Sequence, residues 1–165
     1  MESYMNRISN TGIVPVVKIL EKEDAYPLAK ALLNGGIDVI EVTYRSEHAT
    51  SAIQTISEQL PDMLVGAGTV LSVEQAKEAV EAGAKFIITP GFNTKVVQWC
   101  LDHDVEVYPG VSTASEVEMA LSMGFTTATF YTNAESLKRD KHFNIEHIIK
   151  ISKILNIDIQ ELFKE

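Results

Sequence analysis

Short runs rich in β-branched residues alternate along this chain with longer stretches whose apolar positions recur every three or four residues. The short runs are IVPVVKI from Ile13, IDVIEVTYR from Ile37, MLVGAGTV from Met63, KFIITPGF from Lys85, VEVYPGV from Val105 and FTTATFYT from Phe125. Runs of this kind, bounded by glycine and proline, predict strands, and the stretches between them predict amphipathic helices. In SVEQAKEAVEAGA, Ser72 is placed to cap a helix, Gln75 to complete a capping box and Gly83 to end it. Gly36, Gly83 and Gly124 each separate a helical stretch from the next strand. Strand starts fall roughly 20 to 25 residues apart, which suits βα units on a parallel sheet. That rhythm predicts an α/β fold of the (β/α) barrel type. A dinucleotide-binding sheet is the weaker reading, because GAGTV lacks the third glycine of the G-x-G-x-x-G loop.

The pattern changes near the end of the chain. From Ser136 to Glu165 the apolar residues Ile145, Ile148, Ile149, Ile151, Ile154 and Leu155 have helical spacing, and Ile159, Leu162 and Phe163 follow in a shorter segment. These residues carry six Lys or Arg and five Asp or Glu, a net +1, against −10 for residues 1–135. The expected organisation is a partial barrel over 1–135 and a helical tail over 136–165.

With 165 residues, 45% of them hydrophobic, the chain can bury the core of one ordinary domain. Its net charge of −9 argues against nucleic acid or an anionic membrane as partner. No run of about 18 apolar residues points to a membrane span, and MESYMNRISNTG has no apolar core of signal-peptide type. The single cysteine, Cys100, cannot form an internal disulfide, which fits a reducing cytoplasm. The four histidines, among them His48 and His103 at expected surface positions, lack the cysteine or carboxylate spacing of a metal site.

Barrel enzymes place their chemistry at the carboxyl ends of the strands. The second strand ends in EVTYR, where alternation sends Glu41, Thr43 and Arg45 to one face. The third ends in GAGT, which sets Thr69 behind small residues, and the fourth and fifth end in TPG and YPG, with Pro90 and Pro109 at the exits. Lys18 lies near the end of the first strand, whereas Lys85 opens the fourth and belongs to the opposite end of the barrel.

EVTYR, VGAGTVL, ITPGF and YPGVST, in this order, resemble the bacterial 2-keto-3-deoxy-6-phosphogluconate aldolase family, which includes the 4-hydroxy-2-oxoglutarate aldolases. The resemblance covers about Ile13 to Phe130. It implies a TIM-type barrel and a class I lyase, usually trimeric, that cleaves a 2-keto-3-deoxy sugar acid to pyruvate and an aldehyde without cofactor or metal. By position it makes Glu41 the general acid/base, and it makes Arg45 and Thr69 the grip on the pyruvate carboxylate; Pro90 and Lys18 complete the expected substrate-binding set. The family's Schiff-base lysine, on the sixth strand, matches Thr129 in TFYTNAE, and a hydroxyl cannot form an imine. The family's seventh and eighth strands find no counterpart after Glu135, so the expectation is an incomplete barrel of about six parallel βα units.

Three functions follow from this reading. One is a lyase impaired at its nucleophile. Another is a protein that binds a small 2-oxo acid such as pyruvate without turnover. The last is a regulatory fusion, since the tail is similar to the final two helices of a phage-repressor-type helix-turn-helix domain without its recognition helix. Open sheet edges in an incomplete barrel predict a homo-oligomer, or a tail that covers an edge.

Overall fold

The computed structural model describes residues 4–125 and 131–132. Its elements are α1 (Tyr4–Thr11), β1 (Val16–Val17), a 3₁₀ turn (Lys22–Asp24), α2 (Ala25–Asn34), β2 (Val39–Thr43), α3 (Ala49–Gln59), β3 (Leu64–Gly68), α4 (Val73–Glu81), β4 (Phe86–Thr89), α5 (Thr94–Asp102), β5 (Glu106–Val111), α6 (Ala114–Ser122) and β6 (Tyr131–Thr132). The strands form one parallel sheet in the order β1-β2-β3-β4-β5-β6. Each strand pairs with its neighbour in sequence, so every helical crossover advances the sheet by one strand in the same direction. This is the topology of a (β/α) barrel with six strands in place. The tail over 136–165 and the proposed boundary at 135 lie outside the described residues.

Strands β2 and β3 are buried at all five of their positions, as a sheet covered on both faces requires. The outward residues Ile40, Val42, Val65, Ala67 and Ile87 pack under the helices in the main core. On the inner face, Val39, Leu64, Phe86 and Tyr108 come from four consecutive strands and form a second cluster at the amino ends. Tyr4, Met5 and Ile8 of α1 pack against it, so this helix plugs the lower end of the sheet. Arg7 Nε holds Asp38 Oδ2 at 2.8 Å, and the Tyr4 amide donates to Glu106 Oε1 at 2.9 Å, which ties the plug to β2 and β5. The strand-and-helix rhythm begins at Ile13 and did not reveal α1, which is short and polar on most of its surface; the placement of Tyr4 and Met5 four and three residues before Ile8 is its sequence signal.

Helix ends follow the sequence closely. Gly36, Gly83 and Gly124 adopt φ of 82°, 107° and 90°, the left-handed region that ends a helix without a Cβ penalty. Ser72 Oγ accepts from the Gln75 amide at 3.2 Å, as predicted. The Gln75 side chain departs from the predicted box: its Oε1 accepts from the Leu71 amide at 2.8 Å, one residue upstream of the cap. The complete capping box lies instead at Thr113 and Glu116, at the start of α6. Pro109 also departs from its expected place at a strand exit, because β5 continues through it to Val111 and pairs it with Thr89.

Candidate active site

The polar residues singled out by the sequence gather at the carboxyl ends of β1 to β4. Glu41 lies in the middle of β2 and is only 7% exposed despite its charge. Register places it opposite Gly66 on β3 and Val16 on β1, and Thr43 opposite Gly68. The glycines explain how the carboxyl fits. A Cβ on Gly68 would stand 1.7 Å from Glu41 Oε1, and one on Gly66 would stand 2.0 Å from the Phe86 ring. Both glycines therefore make room for side chains of the protein itself, a role that GAGT does not reveal in isolation.

Burial raises the Glu41 carboxyl above its ordinary value, and the Arg45 charge pulls in the other direction. The two do not form a contact ion pair: among the described residues the ion pair present is Arg7–Asp38, at the opposite end of the strands. Arg45, two residues beyond β2 and exposed, donates from Nε to Thr69 Oγ1 at 3.1 Å. Thr69 follows β3 directly and adopts φ 55°, a left-handed conformation uncommon for a β-branched residue. Its hydroxyl thus fixes the root of the guanidinium. The Nη groups of Arg45 have no hydrogen-bond partner among the described residues and remain able to take a planar anion side-on.

Thr43, on the same strand as Glu41, donates to the Val17 carbonyl at 3.0 Å and locks β2 to the end of β1. Lys18 follows that carbonyl and is exposed, without a hydrogen bond or ion pair among the described residues. Pro90 follows β4, and its carbonyl oxygen would lie 2.4 Å from a Cβ on Gly110, so β4 and β5 meet closely at this rim. Lys85 stands just before β4, at the amino end, as expected. Thr129, at the expected nucleophile position, lies outside the described residues.

The other singled-out groups are structural. His48 is half-buried at the start of α3, a departure from the expected surface position, while His103 is exposed and stacks on Trp99 at 4.5 Å. Cys100 is buried in the main core, where loss of solvation pushes its thiol up to about 12. Among the described residues no helix is long and apolar enough to cross a membrane.

Comparison with known proteins gives the same site a context. The family model for KDPG and KHG aldolase matches residues 4–137. The chain is 45% identical over 131 residues to a 2-dehydro-3-deoxy-phosphogluconate aldolase of Treponema pallidum, covering 79% of this chain and 62% of that protein. It is 41% identical over 125 residues to the KHG/KDPG aldolase of Escherichia coli, covering 75% and 59%. Among solved structures, KDPG aldolase from Legionella pneumophila, with pyruvate captured as a covalent carbinolamine intermediate, superposes with a TM-score of 0.66 at 42% identity, over 68% of this chain and 54% of that one. The chain spans about three-fifths of the length of the curated relatives it matches. A parallel strand order that advances one strand at a time, a carboxyl buried at the middle of the second strand and a family match over most of the sequence agree: this chain belongs to the KDPG and KHG aldolase family.

Proposed function

We propose that the carboxyl ends of β1 to β4 form a binding site for a small 2-oxo acid such as pyruvate, in a lyase-family protein whose carbon–carbon cleavage is impaired at Thr129. The observation that carries this reading is the Arg45–Thr69 hydrogen bond beside the buried Glu41 carboxyl. Arg45 offers the free end of its guanidinium to the substrate carboxylate, which accepts two parallel hydrogen bonds. Glu41 faces the same side of the sheet, and its raised proton affinity suits it to give a proton to a carbonyl oxygen and to recover one from a hydroxyl. In the cleavage direction that second transfer breaks the carbon–carbon bond, releases the aldehyde and leaves the three-carbon fragment as an electron-rich enol or enamine, which becomes pyruvate once its terminal carbon takes up a proton. The step requires an electron sink on the substrate carbonyl, which an imine supplies and a threonine hydroxyl cannot.

Loss of the lysine at position 129 favours a second reading, in which the protein holds the 2-oxo acid without turnover. Titration of the protein with pyruvate by calorimetry tests the site itself. Binding that weakens at least about tenfold in Arg45→Met supports it, a loss in the range of a charge-assisted contact. Binding unaffected by Arg45→Met, or no binding at all, overturns it. A Thr129→Lys variant separates the two readings, because cleavage of the 2-keto-3-deoxy acid that rises well above the parent chain marks a disabled lyase.

A further inference from the structure

We infer that Lys18 is the amine of this site and forms the imine with a 2-oxo acid that Thr129 cannot form. The inference rests on the pyruvate site proposed above and adds to it a nucleophile from a different strand.

Among the described residues, lysines occur at six positions: Lys18, Lys22, Lys30, Lys77, Lys85 and Lys95. Lys22 lies in the 3₁₀ turn, Lys30, Lys77 and Lys95 on helices α2, α4 and α5, and Lys85 at the amino end of β4. Lys18 alone follows the carboxyl end of a strand directly. The register pairs Val16 with Glu41 and Val17 with Val42, so Lys18 continues one step toward Thr43. Period-two alternation puts it on the face of Val16 and Glu41. With strands about 4.8 Å apart and about 3.3 Å of rise per residue, the Lys18 and Glu41 Cα atoms are about 8 Å apart, a gap that a lysine and a glutamate side chain reaching toward each other close. The Thr43 bond to the Val17 carbonyl fixes the backbone at the root of this lysine.

Lys18 is exposed in the structure, and imine formation requires a side-chain rotamer that brings its amine over the Glu41 carboxyl. No carboxylate among the described residues holds it in a salt bridge that the change would have to break. The step balances without a co-reactant. The ammonium gives one proton to solvent, and the neutral nitrogen attacks C2 of pyruvate. The carbonyl oxygen takes a proton from Glu41, which gives the carbinolamine. The nitrogen, positively charged after the attack, returns a proton to the Glu41 carboxylate, and the same carboxyl passes it to the hydroxyl, which leaves as water while the freed nitrogen lone pair forms the C=N bond of a protonated imine. Arg45 meanwhile holds the carboxylate.

The experiment is borohydride trapping with pyruvate, read by intact mass and peptide mapping, on the full chain and on Lys18→Arg, which keeps the charge and removes the amine. The expected result is a reduced adduct that peptide mapping places on Lys18 and that disappears in Lys18→Arg. Glu41→Gln is expected to slow trapping at least about tenfold, in the range of a general acid. An adduct that persists in Lys18→Arg, or no adduct while pyruvate still binds in an Arg45-dependent manner, overturns the role of Lys18 and leaves the binding site standing. Absence of pyruvate binding overturns both. Circular dichroism of each variant distinguishes a lost amine from a lost fold.

Discussion

At the scale of single residues, Glu41 shows how a fold changes the meaning of a side chain. A carboxylate in the middle of a strand reads as an ordinary ion-pair partner for the Arg that follows four residues later. Instead it is buried over Gly68 and held above its ordinary value by desolvation, with Arg45 only partly offsetting that. The sign of the pH effect follows. An acid whose folded value exceeds its unfolded one binds its proton more tightly when folded, so its contribution to stability is greatest below about 4.5 and is lost as pH rises through the folded value. Glu41→Gln removes that loss. Urea unfolding across pH is expected to show the variant gaining on the parent from about pH 4.5 upward, even as any activity falls; identical pH profiles for the two would contradict the desolvated carboxyl.

At the scale of elements, α1 decides how the lower end of the sheet is closed. Its Tyr4, Met5 and Ile8 cover an inner-face cluster that would otherwise expose Val39, Leu64, Phe86 and Tyr108. Ile8→Ala is expected to cost about 2 kcal/mol, the lower end of the range for truncating an aliphatic core residue, because Ile8 is only half-buried. Chemical denaturation should show a lower midpoint with an unchanged slope, while pyruvate affinity at the far end of the strands stays constant. Asp38, the residue just before β2, anchors this element. Burial works against its charge, but hydrogen bonds from Thr11 and Arg7 hold its carboxyl below the ordinary range. The helices that pack outside the sheet were legible from their period and their glycine stops. The plug was not, because three apolar residues on a mostly polar helix become a signal only once the sheet provides a surface to match them.

At the scale of the whole molecule, β1 and β6 are the ends of the described sheet. Val16 on β1 is 59% exposed and Leu20 just beyond it 61%, so apolar surface continues around that edge. Unpaired strand edges recruit other strands. Light scattering is expected to give a multiple of 18.2 kDa, or a monomer whose β1 amides are protected from exchange and lose that protection on deletion of residues 136–165. A monomer with freely exchanging β1 amides would contradict the expectation. The sequence by itself determined the parallel βα order, the glycine-ended helices, the polar strand ends and the family, because each is a local pattern of period, turn chemistry or contiguous motif. Tertiary structure alone decided that Gly66 and Gly68 seat Phe86 and Glu41, that Thr69 grips Arg45 in place of an Arg45–Glu41 pair, and that α1 closes the lower end. Those outcomes depend on which residues of neighbouring strands come opposite one another, and register is a property of the folded sheet that no single stretch of chain contains.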